Sequence, residues 1–209
     1  MPPPETNHLR HFLLFVFVLL LPCFSLWTVA SASLVTPAIG LVHLILTSWF
    51  PEFVNVVYQQ GPDAMLMTLL DEVDGQFVPS LEAQEGLGFR VNTRVLSYAI
   101  PFYAALHFAT EKQHYLASFC WGLLVIYPFI VLGLLCICLK NLMVTFGSLF
   151  LEQPGVYVPG QGTIGLLYQL SVLIIPPLVP ALVWAWQSRH TPLLKNLLDA
   201  ANRPAGPSR

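Results

Sequence analysis

The sequence predicts a mainly α-helical integral membrane protein, with about four transmembrane helices and a small extracytoplasmic β-rich insertion between spans one and two. Three observations point there. Asp, Glu, Lys and Arg are absent from 11–51, 95–110, 113–139 and 153–188, stretches of 41, 16, 27 and 36 residues. A run of about 18 or more apolar residues suits a hydrocarbon core roughly 30 Å thick. Charged residues make up only 10% of the chain, against roughly 25% in soluble domains. The charge that remains is concentrated: Glu52, Asp63, Asp71, Glu72, Asp74, Glu82, Glu85, Arg90 and Arg94 all fall in one segment. That segment, 52–94, is the one sizeable aqueous piece, and it is small for an independent core, so it is expected to lean on the membrane helices.

The first span covers about 12–31. His8-Leu9-Arg10-His11 ahead of an apolar run, with Ala30-Ser31-Ala32 behind it, resembles a secretory signal. The run is longer than the usual signal core of about 7–15 residues, and a second apolar stretch follows directly, so an uncleaved helix is expected. Thr36-Pro37 has the form of an N-cap followed by proline at the first helical position. It predicts a new helix over 37–50, lying at the outer interface or continuing the first span after a bend. Phe53–Tyr58, Ala64–Leu70 and Leu87–Leu96 read as short strands, with turns at Gly61-Pro62 and Asp74-Gly75.

Span two, 95–110, is short: 16 residues rise about 24 Å. Glu111-Lys112-Gln113-His114 is a polar turn, so spans two and three form an antiparallel hairpin. Span three runs from Tyr115 to Leu139 and is expected to continue as an interfacial helix over 140–150, because Leu139, Leu142, Met143, Phe146, Leu149 and Phe150 recur at helical spacing. Pro154-Gly155 and Pro159-Gly160 are expected to break it. Span four covers about Ile164–Trp186. The chain thus divides into 1–51 (first helix and outer interfacial helix), 52–94 (β-rich unit), 95–187 (three-helix membrane bundle) and 188–209 (cytoplasmic tail, with 203–209 disordered). Lys and Arg favour the cytoplasmic side in membrane proteins. With both termini inside, that side holds Arg10, Lys112, Arg189, Lys195, Arg203 and Arg209, and the outer side Arg90, Arg94 and Lys140.

Chemistry-bearing residues are few. Cys23, Cys120, Cys136 and Cys138 all lie in apolar stretches and form neither a disulfide framework nor a zinc-ligand spacing. No metal or cofactor is expected, and no nucleic acid. Span cores carry no Asp, Glu, Lys or Arg, which disfavours ion or proton transport. His107 and Cys120 flank the hairpin turn and suggest a Cys/His nucleophile; the simpler expectation is that His107 is an interfacial side chain near the turn. Arg90 and Arg94, read on one strand face, are expected to anchor lipid phosphate or to pair with Glu82 or Glu85. Spans two to four each combine tyrosine and proline: Tyr98 with Pro101, Tyr127 with Pro128, Tyr168 with Pro176, Pro177 and Pro180. The last group frees the carbonyls of Val172, Leu173 and Pro176, because a proline cannot donate to the carbonyl four residues back. Tyr98, Pro101, Tyr168, Gln169, Ser171, Pro176 and Pro177 are therefore the candidate partner-binding residues, forming a polar groove for a partner helix. The competing reading is helix kinks repaired by neighbours.

Arg90-Val91-Asn92 leading to Tyr98-Ala99-Ile100-Pro101, then Leu167-Tyr168-Gln169-Leu170 with Pro176 and Pro180, resembles the exosortase H-associated membrane protein family over most of the chain. Thr93 departs from the proline expected there, and the Gly-rich 155–162 loop departs as well. The resemblance implies a multi-pass protein of the bacterial inner membrane that accompanies an exosortase and its sorting-signal substrates. It implies an accessory, non-catalytic role, since no arginine occurs within any span to match the exosortase's Cys, Arg and His chemistry. An intramembrane Cys/His enzyme, or a membrane scaffold unrelated to sorting, is the alternative.

Overall fold

The structure, a computed structural model, describes residues 4–80, 86–110, 115–189 and 191. It opens with a single helix, α1 (Pro4–Trp49), of 46 residues, which rises about 69 Å, more than twice the hydrocarbon thickness. The helix start expected at Thr36-Pro37 is absent, because α1 continues through both Pro22 and Pro37. Its carbonyls near Pro37 find other donors. Gln59 Nε2 donates to the Ala32 carbonyl at 2.9 Å, the Thr36 hydroxyl to the same oxygen at 2.9 Å, and Tyr127 Oη to the Leu34 carbonyl at 3.3 Å. Gln59 and Tyr127, far along the chain, thus tie down the turn before Pro37; the carbonyl that the proline itself leaves without its α-helical donor is that of Ser33, four residues back. Beyond Pro37, α1 carries a buried stripe of Ala38, Ile39, Val42 and Leu46, continued by Phe50 just past its end, and this face supports the sheet. The separate helix expected over 37–50 is therefore the C-terminal part of α1.

The sheet has order β1-β2-β5, all antiparallel, from β1 (Val54–Gln60), β2 (Asp63–Thr68) and β5 (Gly88–Val91). Gly61, at a φ of 61°, makes the tight β1–β2 turn. A separate hairpin was not anticipated: β3 (Leu70–Val73) pairs β4 (Gln76–Pro79) across Asp74 and Gly75, both at positive φ, as a tight two-residue hairpin turn requires. The strand expected to reach Leu96 stops at Val91. Asn92 Oδ1 accepts the Arg94 N–H at 3.0 Å, and α2 (Arg94–Ser97) begins, so Arg90 and Arg94 do not share a strand face. Arg90 instead pairs with Asp63 of β2 at 2.6 Å; Glu82 and Glu85 lie outside the described residues.

A phenylalanine cluster fastens this layer to the helices. α4 (Tyr115–Phe146) carries Phe146, and α5 (Ser148–Leu151) carries Phe150. Phe146 meets Phe53, Phe77 and Phe89 at 5.6, 4.8 and 6.2 Å between ring centres. Phe150 meets Phe50 at 5.0 Å. The 140–150 extension is thus helical as expected and supports the sheet; Leu139, Leu142, Met143, Phe146 and Phe150 of its stripe are buried, whereas Leu149 is exposed. Gly147, at a φ of 54°, ends α4 before Pro154-Gly155 is reached. Because its core is shared with α1 and α4, the fragment 52–94 is expected to be largely unfolded on its own. A cooperative thermal melt of that fragment would contradict this packing.

Three described helices are long and apolar enough to cross a membrane: 10–49, 115–146 and 161–188. α3 (Ala99–Phe108) has only ten residues and is not among them. Ala99, Ile100, Pro101, Tyr103, Ala104, Ala105, Leu106 and His107 of α3 are all buried. It sits centrally, packed on α1, α4 and α7 (Ile175–Ser188). A helix sheathed by neighbours does not have to match hydrocarbon thickness with its own lipid-facing surface. The polar turn 111–114 and the tail beyond Thr191 lie outside the described residues.

Candidate functional site

The third long helix, 161–188, contains the irregularity foreseen in its proline run. α6 (Gln161–Gln169) passes into a π-helical turn, Leu170–Ile174, and then into α7. The Ile175 N–H donates five residues back, to the Leu170 carbonyl. Pro176 and Pro177 follow without an N–H between them, so the α-helical register cannot be kept through this turn. One consequence is that the residues foreseen as a single groove are divided. Ser171, Pro176 and Pro101 are buried, Gln169 and Pro177 are exposed, and Tyr98 and Tyr168 are half-buried. Pro176 lines a small apolar cleft with Leu96, Ala99, Ile126, Ile130 and Val179, where α2 and α3 meet α4 and α7. Gln169 and Pro177 face outward from the same helix.

Lys140 of α4 stands 5.6 Å over the Tyr168 ring, a cation–π contact that settles a charge at the end of an apolar run. Lys140 follows 25 residues after Tyr115, a rise of about 37 Å, which carries it beyond a hydrocarbon core roughly 30 Å thick. A second cleft, of about 580 Å³, opens between α1 and α3 and is lined by Leu20, Leu21, Phe24, Ser25, Thr28 and Phe102. The Ser25 and Thr28 hydroxyls donate to carbonyls of their own helix, those of Leu21 and Ser25, so the wall of this cleft is effectively apolar.

At the opposite end of the bundle lies a polar knot that the sequence did not reveal. Tyr103 Oη donates to Gln187 Oε1 at 2.8 Å and lies 3.2 Å from His107 Nδ1 and from the Ser118 carbonyl oxygen. Gln187 Nε2 donates to that same Ser118 oxygen at 2.9 Å. His107 Nε2 lies 3.0 Å from the Tyr115 carbonyl oxygen; a carbonyl only accepts, which assigns the proton to Nε2. Tyr103 and His107 are fully buried, so His107 is not the interfacial side chain expected. The Tyr103 ring stacks on Phe119 at 5.5 Å. Both ring nitrogens of His107 have protein partners, whereas Cys120 is exposed, an arrangement that suits a structural histidine. The spacing of Tyr103 and His107, four residues apart on an apolar helix, was the available signal; Gln187 is too distant in sequence to have been linked to them. Among the described residues, no group of three or more His, Cys, Asp or Glu side chains is placed to hold a metal.

Long apolar helices wrapped around a buried short one, with a small sheet inserted after the first, define a multi-helix membrane protein. The chain belongs to the exosortase H-associated membrane protein family, whose profile matches residues 6–191. No curated protein and no solved structure matches it.

Proposed function

We propose that this protein is a non-catalytic accessory of an exosortase-type sorting system in the bacterial inner membrane, assisting the exosortase or its exported substrates. The observation that carries the reading is the family match over nearly the whole chain. In this reading α2 and α3 together make a fourth crossing. Both termini are then cytoplasmic, and the sheet is extracytoplasmic. The distribution of Lys and Arg supports that orientation. Helix α6, the π turn and α7, with Tyr168, Gln169, Ser171, Pro176 and Pro177, supply the partner-docking region, and Tyr98 and Pro101 support it from α2–α3. Lipid covers the remaining apolar faces, among them Leu13, Leu14, Phe17, Leu21 and Val29 of α1, each more than half exposed.

Reporter fusions test the topology. Alkaline phosphatase fused after Gly86 is expected to be active, and fused after Trp186 to be inactive; the reverse pair would overturn the orientation. Deletion tests the role. Loss of the protein is expected to impair sorting-signal cleavage or substrate display, and unchanged cleavage and display would refute the accessory role.

A further inference from the structure

We propose that the outer edge of β5 takes up an extended, acidic segment of a different membrane protein as an added strand, where that segment adjoins the bilayer. The inference goes beyond the accessory reading and needs no exosortase. Thr68 donates its N–H to the Leu87 carbonyl at 3.0 Å, which fixes the parity of the β2–β5 ladder. Main-chain groups of an antiparallel strand turn to alternate sides, so Phe89 and Val91 face β2, and Gly88 and Arg90 face away. The same parity turns Val57 outward from β1, and its N–H is found on His43 Nδ1 of α1 at 3.2 Å. α1 thus closes the β1 edge. On the β5 edge both Gly88 and Arg90 are exposed, and among the described residues no main-chain hydrogen bond reaches them from outside the sheet. Two donors and two acceptors stand open there, about 7 Å apart along the strand.

The occupant follows from this pattern and its setting. An extended main chain offers donors and acceptors at that spacing. A second copy does not fit. β1 runs back along α1, with Val57 beside His43 and Gln59 beside Ala32 and Thr36, so the strands follow a helix long and apolar enough to cross the membrane. Copies inserted in the same sense share the membrane normal, and a twofold axis between them lies along it. Such an axis sets Gly88 level with Gly88 and Arg90 with Arg90, donor against donor and acceptor against acceptor. Head-to-tail pairing needs a free β1 edge, which α1 occupies. Charge narrows the partner further. Arg90 and Arg94 mark the path from β5 into α2, and Asp63 answers Arg90. Among the described residues Arg94 has no acidic partner, so a carboxylate in the added strand is favoured. Met67 leans over Gly88, where a Cβ would meet its Sδ at 2.8 Å. Met65 and Met67, both half-buried, thus border the open edge with pliable apolar surface.

The experiment places one full-length chain in each phosphatidylcholine nanodisc with a synthetic leucine–alanine transmembrane peptide labelled for energy transfer. The peptide carries a short extension of alternating threonine and valine, with one glutamate at the membrane surface. Its control is N-methylated on alternate residues of the extension, which blocks main-chain donors and keeps the side chains. The parent peptide is expected to bind at least about fivefold more tightly than the control, the low end for two main-chain hydrogen bonds. It should also slow exchange of the Gly88 and Arg90 amide hydrogens, which is fast in the chain alone. Gly88→Pro removes an outward N–H that the β2 ladder does not use, at an edge that accepts proline, and should weaken the parent peptide about twofold or more. Arg94→Gln should weaken it about twofold and flatten its salt dependence. Equal binding of the two peptides to wild type, or amides no slower with the parent peptide bound, overturns the proposal. Amides already protected in the chain alone would show the edge covered from within, and protection confined to discs with two chains would assign it to a second copy; either overturns it. These readings use the wild-type chain, so they stand even where a variant fails to fold. A chain that recovers an exosortase but fails them would leave the accessory role standing and refute this edge alone.

Discussion

Gly122→Ala is expected to be among the most damaging single-methyl changes in the molecule. Gly122 lies buried on α4 directly against Tyr103, and a Cβ built on it would overlap the phenol oxygen and the ring carbon bearing it. The phenol has no room to withdraw. It is fully buried, stacked on Phe119 and tied to Gln187 and the Ser118 carbonyl. Overpacking of a closed core costs about 1–3 kcal/mol, and here it also disturbs buried hydrogen bonds. Gly133→Ala provides a milder comparison, since its Cβ would meet the methyl ends of Leu96, which can shift. Gly40→Ala meets nothing within 4 Å and should be neutral or stabilising, by up to about 1 kcal/mol of helix propensity. Thermal midpoints in detergent should therefore fall in the order Gly40→Ala, Gly133→Ala, Gly122→Ala. Equal midpoints for the first and last would show that Tyr103 is not pinned.

His107→Leu is the second large effect. The substitution keeps an apolar volume but leaves the Tyr115 carbonyl without the imidazole N–H, and the Tyr103 hydroxyl without one of its neighbours. Each buried polar group left unsatisfied costs about 1–3 kcal/mol. The thermal midpoint and the membrane level of the protein should drop together. Tyr103→Phe and His107→Leu should combine non-additively, because the two side chains share one network. A structural histidine and a catalytic one separate cleanly here. Normalised to the amount of protein present, sorting-signal cleavage should be unchanged in His107→Leu. Cleavage lost at normal abundance would favour the Cys/His enzyme instead.

The uncharged stretches located every long helix, because absence of charge over such lengths has few explanations besides hydrocarbon. They did not foresee how α3 is placed, since hydropathy reads alike for a helix facing lipid and for one buried among other helices; only the contacts of Ala99–His107 distinguish them. Thr36-Pro37 has the local chemistry of a helix start. It lies inside a helix instead, where Gln59 and Tyr127, far along the chain, bond carbonyls of the turn before the proline. The three main strands followed from apolar alternation and turn residues. The β3–β4 hairpin did not, since Asp71 and Glu72 interrupt the apolar pattern. At the candidate site the consequence of consecutive prolines was legible, because it depends on covalent structure alone. Which faces of Ser171, Pro176 and Gln169 are buried was not, since the π turn rotates the helix within their span. The Tyr103–His107–Gln187 knot was equally hidden, because it joins α3 to the end of α7, 84 residues apart in sequence.

Co-purification from a mild detergent tests the central claim most directly. The tagged full-length chain, shown by size exclusion to be monodisperse, is isolated from cells that also express exosortase H, and the eluate is probed for the enzyme. The accessory account predicts exosortase H in a fixed ratio to the tagged chain, retained through washing and absent when an unrelated multi-span membrane protein carries the tag. A folded, monodisperse chain that emerges without the exosortase, from cells in which both are abundant, would contradict it.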